Sequence, residues 1–308
     1  MSFSKETKAE LCAAAVDNEE CQKSLAYGMV LFSRYFGRDS LSLTTECRPV
    51  VDIYSRLIPE ITGVIVEIKS AVRRHGGESS IYTVSVPDQN ECEKIYRFFG
   101  YHGNDTEMGI NDLQISRRES LPYFLRGAFL SCGNVTDPEK DYHLELIVPH
   151  RKTAYDLERV ISGIKEIHTE PNVIQRKGSY VVYIKGSENI ADMLTYIGAP
   201  MSALNLIQSK IFKSVRNNVN RKINSETANI KKTADASARQ LKAIEYIIKK
   251  RGLEYLPDDL RELAQIRIDN PEYNLRELGE ALSKPISRSG VNHRIQRILE
   301  IAEDLKDQ

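Results

Sequence analysis

The chain has 308 residues, 41% of them hydrophobic and 28% charged, a composition ordinary for a soluble globular protein and long enough for two domains. Its 43 basic and 43 acidic side chains cancel, so overall charge argues for no polyanionic partner and leaves that question to local clusters. No apolar run approaches a membrane span, and the charged opening Ser4-Lys-Glu-Thr-Lys-Ala-Glu10 does not read as a secretory leader.

Residues 1–200 alternate between helical and strand patterns, and the order occurs twice. In the first pass a helix is expected over 23–36, with Leu25, Met29, Phe32 and Phe36 on one face. A strand at 41–46 follows, then a helix at 49–58 and strands at 64–73 and 80–86. His75-Gly76-Gly77 forms the turn between those strands, and a helix at 90–99 closes the unit. The second pass opens with a helix at 121–132 that stops at Gly133. Strand material comes next, with Asp137-Pro-Glu-Lys140 as the turn before a strand at 142–148. A helix at 153–162, strands at 166–170 and 178–185, and a helix at 188–197 complete it. Both passes read αββαββα. Such a duplication implies two saddle-like sheets packed through their leading helices, and Gly127 is expected where those helices press together.

From Pro200 the strand signal ends. Residues 203–251 hold twelve Lys and Arg against three acids, an asymmetry that hints at polyanion binding. The segment reads as one or two helices, with Leu241, Ile244, Ile247 and Ile248 as an apolar stripe near its end. Three short helices follow, at 258–268, 275–282 and 288–305. Asn274 and Glu277 have capping-box spacing at the start of the second, and Ser287 caps the third. Gly279 lets the next helix cross closely, while Pro285 disfavours helical geometry at Lys284. The last helix would bury Val291, Ile295, Ile298 and Ala302 and offer Arg288, Ser289, Asn292, His293 and Arg297 on its other side. Arg suits guanine edges and Asn suits adenine, so this is a helix-turn-helix whose recognition helix starts after Ser287. Lys284 and Arg294 are candidate phosphate contacts, joined by Lys213, Arg216, Arg221 and Lys222 on the basic segment.

Enzymatic motifs are missing: there is no phosphate-cradling Gly-rich loop, no Gly-x-Ser-x-Gly elbow and no dinucleotide fingerprint. The five cysteines, at 12, 21, 47, 92 and 132, include no Cys-x-x-Cys pair, which favours reduced thiols in a cytoplasm over disulfides or zinc. His143 and His150 are not spaced as a ligand pair on one helix face and read as surface or edge-strand residues. No catalytic residue, metal or cofactor is expected.

Several stretches together resemble the WhiA family. They are Phe124-Leu-Arg-Gly-Ala-Phe-Leu-Ser-Cys-Gly-Asn134, Asp137-Pro138, Tyr142-His-Leu-Glu145, Tyr180-Val-Val-Tyr-Ile-Lys185 and Ile190-Ala-Asp-Met-Leu-Thr-Tyr-Ile-Gly-Ala199. Val219-Asn-Arg221, Asn224, Glu226 and Ala228-Asn229 in the basic segment add to them, as do Leu275-Arg-Glu-Leu-Gly279 and Ser289-Gly-Val-Asn-His-Arg294. The likeness runs the full length in order. It implies an α+β fold: a duplicated αββαββα domain at 1–200, shaped like a LAGLIDADG homing endonuclease, with repeats at about 1–104 and 115–200. A basic helical linker at 201–251 and an all-α helix-turn-helix domain at 252–308 would follow. The resemblance also implies a transcription regulator of cell division, chromosome segregation and, where it occurs, sporulation. Its partners would be double-stranded DNA and another regulator or division protein, and its place the cytoplasm at the nucleoid. Two alternatives stand beside this reading, a metal-dependent LAGLIDADG-type endonuclease and a cell-division adaptor working through protein contacts.

The nuclease alternative needs a carboxylate at the end of each leading helix to hold divalent metal. Here Cys132 occupies that slot in the second repeat, and an alignment on Gly37 places Phe36 in the first. Neither is a hard oxygen ligand. Asp39, Asp137 and Glu139 lie just beyond the helix ends, on expected strands or turns, so the centre is expected to be inactive.

Overall fold

The computed structural model describes residues 2–73, 79–102, 108–167 and 169–306; the expected turn at His75-Gly76-Gly77 lies outside them. The chain divides into two compact units, Met1–Ser214 and Val215–Gln308.

The first unit begins with a helix absent from the repeat pattern, α1 (Phe3–Ala13), capped by the Ser2 side chain. The first repeat then runs α2 (Glu19–Leu31), β1 (Tyr35–Phe36), β2 (Leu41–Thr45), α3 (Arg48–Thr62), β3 (Glu67–Arg73), β4 (Ser79–Val86) and α4 (Gln89–Phe98). The second runs α5 (Leu121–Cys132), β5 (Gly133–Val135), β6 (His143–Val148), α6 (Arg151–Ser162), β7 (Asn172–Arg176), β8 (Ser179–Lys185) and α7 (Ser187–Ile197). Each repeat is αββαββα and builds a four-stranded antiparallel sheet, ordered β1-β2-β4-β3 in one and β5-β6-β8-β7 in the other. Alternation sets the inner face: Leu41, Leu43 and Thr45 of β2 are buried between the half-exposed Ser42 and Thr44.

Two expected elements differ. Helix α2 stops at Leu31, where the chain tightens so that the Ser33 amide donates to the Val30 carbonyl while its hydroxyl donates to that of Met29 at 2.8 Å. Phe36 reaches the same core from strand β1, next to the exposed Tyr35, so burial of every third or fourth residue did not require a continuous helix. Among the described residues of 166–170 no strand forms. Ile164 and Ile167 are buried from a turn, and β7 starts at Asn172, after Pro171, which has no N–H for a ladder.

Helices α2 and α5 cross through two glycines. A Cβ on Gly28 would collide with the Phe124 carbonyl oxygen, and one on Gly127 with that of Leu25. The sequence singled out Gly127; its counterpart Gly28 emerges only from the packing. Arg126, 5% exposed, ties α5 to its surroundings by donating to the carbonyls of Ile197 (2.8 Å) and Ala15 (3.2 Å).

Residues 200–251 form one helix, α8 (Pro200–Arg251). Glu10 of α1 caps its start, accepting from the Met201 and Ser202 amides at 2.7 and 2.9 Å, where a carboxylate also meets the positive end of the helix dipole. In the second unit the other end of α8 joins α9 (Asp258–Asp269), α10 (Leu275–Glu280) and α11 (Arg288–Asp304) around one apolar core. Ile244 and Ile247 of α8 belong to that core, as do Leu260 and Leu263 of α9, Leu278 of α10, and Val291, Ile295, Ile298 and Ala302 of α11. Arg267, 2% exposed, fixes the loop between α9 and α10 by donating to the Tyr273 carbonyl at 2.6 Å and to those of Asn270 and Pro271 at 3.4 Å. Among the described residues no helix is long and apolar enough to cross a membrane.

Candidate nucleic-acid interface

Helix α10 is held open at its start by a complete capping box. Asn274 Oδ1 accepts from the amides of Arg276 and Glu277, and Glu277 Oε2 accepts from the Asn274 amide at 2.7 Å. The helix ends at Glu280, two residues sooner than the apolar pattern suggested. The turn that follows is secured from two sides: the Ile286 amide donates to Gly279 O, and Ser283 donates through its amide and hydroxyl to the Glu262 carboxylate of α9. Gly279 is required here, since a Cβ would sit 2.5 Å from Ile286 O and 3.0 Å from Val291 Cγ2. Helix α11 then begins under the Ser287 cap, whose hydroxyl accepts from the Gly290 amide.

With Val291, Ile295 and Ile298 inward, spacing sends Ser289, Asn292, His293 and Arg297 outward, while Arg288, three residues before Val291 and beside the inner stripe, is exposed because it opens the helix. All five are exposed, and among the described residues none of their side chains has an intrachain hydrogen bond or ion pair. Gln296 stands on the same face, one turn beyond Asn292. The sequence reading missed it, although its i+4 position was the signal. Lys284 is likewise exposed in the turn. Arg294 differs: it is half-buried and turned onto the start of α9, with Nε 3.5 Å from the Asp259 carboxylate and Nη1 donating to the Asp259 carbonyl at 3.3 Å. A side chain so engaged positions α11 against α9. The acidic residues Glu300, Glu303 and Asp304 lie two turns or more beyond Asn292, so the free polar patch carries no carboxylate.

On α8, Arg216, Arg221 and Lys222 are exposed and unpaired among the described residues. Lys213 instead lies over the Tyr142 ring, 5.1 Å from its centroid.

The helix ends of the first unit contrast with this. The crossing glycines pair Gly28 with Gly127, and the strand registers independently pair Phe36–Leu41 with Val135–Leu144. Both superpositions match Ser33 with Cys132. Phe36 is therefore not the first-repeat occupant of the acid slot; Ser33 is, because the two repeats stay in register without a gap here and Gly37 matches Thr136 rather than Gly133. Ser33 and Ser131 both donate to Met29 O at 2.8 Å. Burial pushes the Cys132 thiol up to about 12, so it stays protonated at neutral pH. Lys8 of α1 lies beside it and donates to the Leu130 carbonyl at 3.0 Å; burial pulls its ammonium below the usual lysine range. Of the nearby acids, Asp137 caps its own turn by accepting from the Glu139 amide, while Asp39 and Glu139 are exposed. Among the described residues no group of three or more His, Cys, Asp or Glu is arranged to hold a metal ion. His143 stacks on Tyr183 and lies 3.8 Å from Glu145 on the sheet surface.

The likeness to known proteins follows the same division. A family model described as the WhiA C-terminal HTH domain matches residues 219–302, and one described as the WhiA LAGLIDADG-like domain matches residues 121–216. The probable cell division protein WhiA of Thermoanaerobacter sp. (strain X514) is 38% identical over 318 aligned positions, covering 100% of this chain and 99% of that one. The protein of the same name from Clostridium botulinum (strain Hall) is 35% identical and covers 99% of each. The crystal structure of full-length DUF199/WhiA from Thermotoga maritima matches with a TM-score of 0.58, at 25% identity and 99% coverage of both chains. With two LAGLIDADG-like repeats ahead of a helix-turn-helix, and relatives this similar over their whole length, the chain belongs to the WhiA family.

Proposed function

We propose that this protein is a sequence-specific, double-stranded-DNA-binding transcription regulator of cell division and chromosome segregation, and of sporulation where that occurs. It acts in the cytoplasm at the nucleoid and cuts no DNA. The observation that carries the reading is the unpaired polar face on the first turns of α11, Arg288, Ser289, Asn292, His293 and Arg297, presented by a capped helix-turn-helix. In a major groove those groups replace water with base edges, and each bidentate contact discriminates by about 1–3 kcal/mol. Lys284 and the α8 residues Arg216, Arg221 and Lys222, with Lys213 once released from Tyr142, add contacts to phosphates that carry no sequence information. Arg294 contributes by orienting α11. Labour divides among a nuclease-like domain at about 1–200, the basic helix at 201–251 and the reading domain at 252–308.

The WhiA relatives are named as cell division proteins, which supports the cellular assignment. Chromatin immunoprecipitation followed by anisotropy titration of the recovered motif and a scrambled duplex tests it. Tighter binding to the motif by tenfold or more is expected; equal affinity for both at all salt concentrations overturns the reading.

The first unit serves a different purpose in this proposal. With Ser33 and Cys132 in the acid slots and Lys8 against the helix end, it lacks the paired carboxylates that would hold metal. Its second sheet exposes Ile147 on β6 and Ile174 on β7, either side of the covered Val181 of β8, where the matching registers of the first sheet carry Thr44, Lys69 and Thr83. That exchange of polar for apolar residues favours contact with another regulator or division protein. Retrieval of the partner should fail with Ile147→Asp and survive Thr44→Asp; the reverse outcome removes the assignment.

A further inference from the structure

Helix α8 has two unlike sides. Phe212, Val215, Val219, Ile223 and Ile230 are 72%, 55%, 50%, 53% and 70% exposed. At the α-helical repeat they fall within an arc of about 80°. Lys213, Arg221, Lys231 and Lys232 point to the other half of the helix. Single exposed apolar residues are unremarkable, but five in register along one face form a seam.

The spacing of residues along that seam is the same in both directions. Around Arg221, Phe212 mirrors Ile230 and Val219 mirrors Ile223, with Val215 opposite the Thr227 methyl. The mirror also sets Arg216 against Glu226, ten residues apart and therefore beyond reach of each other within one helix. Neither has an ion-pair partner in the chain among the described residues. We infer that this face of α8 is a self-association surface, on which a second copy of the chain lies antiparallel across a twofold axis at Arg221. The twofold arrangement buries the pairs Phe212–Ile230 and Val219–Ile223 twice each and closes two Arg216–Glu226 ion pairs. A parallel pair would instead put Arg216 on Arg216 and Glu226 on Glu226. Arg221 sits on the outer side at the axis, so it stays free for phosphate together with Lys213, Lys231 and Lys232, whereas Arg216 serves either Glu226 of the second copy or DNA.

Few side chains and an excess of like charge make this a weak contact, with a dissociation constant on the order of 10 µM. Its salt response is opposite to that of DNA binding: screening the basic residues tightens it. Sedimentation velocity of the full-length chain without DNA, from about 1 to 200 µM, tests it independently of the DNA reading. Wild type should pass from monomer to dimer, and do so at lower concentration when salt is raised. Val219→Asp and Ile223→Asp, both at exposed positions, should remain monomeric with unchanged circular dichroism. Arg216→Glu should weaken dimerisation at least tenfold, and Arg216→Glu with Glu226→Arg should restore it. Under mild oxidation a mixture of Phe212→Cys and Ile230→Cys chains should link across the pair, more than either variant alone or wild type. A chain monomeric throughout, a dimer indifferent to Val219→Asp, or self-linking by Ile230→Cys alone would overturn the inference; the first result would leave the seam to a different protein.

Discussion

The ends of α2 and α5 and the start of α11 are both places where helix termini present polar groups, and they are used in opposite ways. At the first, Ser33, Ser131 and Lys8 spend their hydrogen bonds on the carbonyls of Met29 and Leu130, and the half-buried Cys132 thiol is held protonated. At the second, Arg288, Ser289, Asn292, His293 and Arg297 are exposed with no intrachain partner among the described residues. Polar groups satisfied inside the fold contribute stability, whereas groups left to water can exchange it for a ligand's hydrogen-bonding groups without breaking an intrachain bond. Of these two places, the start of α11 is the one whose side chains are unengaged.

That contrast can be broken most severely where the packing has no slack. Gly127→Val should unfold the first unit outright, at a cost above about 4 kcal/mol, because its side chain would occupy the Leu25 carbonyl position. Loss of the cooperative thermal transition checks it. Arg267→Ala should destabilise the second unit by about 2–3 kcal/mol, leaving the Tyr273 carbonyl and its neighbours without their donor. Denaturant melts of the full chain should lose one transition and keep the other.

Asn292→Ala and Arg297→Ala should each reduce affinity for the cognate duplex by about 1–3 kcal/mol and spare a random duplex, with unchanged melting. Arg216→Ala or Lys222→Ala should weaken binding to both duplexes alike and lower the salt slope by about one. Equal losses on both duplexes for both sets would erase the distinction between the two faces. Smallest of all, Cys132→Asp alone should produce no magnesium-dependent cutting of plasmid, since Ser33 still fills the opposing slot; nicking by that variant would show that the closed helix end is not what silences the domain.

How much of this was legible beforehand differs by element. The capping box at Asn274, the Ser287 cap and the outward set on α11 apart from Arg288 followed from spacing, since a helix period fixes which residues share a face. Gly279 followed from the need for a close crossing. The repeat order was also readable, yet the placing of Phe36 in the acid slot was wrong. An alignment along one chain could not tell a helix ending at Leu31 from one running to Phe36, because both bury the same residues. Helix α1, Gly28 and the engagement of Arg294 with Asp259 were invisible for a related reason: each is defined by what it touches far away in sequence.

The residue string by itself fixed element types, the duplicated order and the polar face after Ser287, because these depend on periodicity and short-range hydrogen bonding. Only the tertiary structure decided that Ser33 opposes Cys132, that Lys8 lies against the helix end, and that Arg294 faces inward. Those facts depend on which distant surfaces exclude water together, and a local pattern is compatible with several such arrangements.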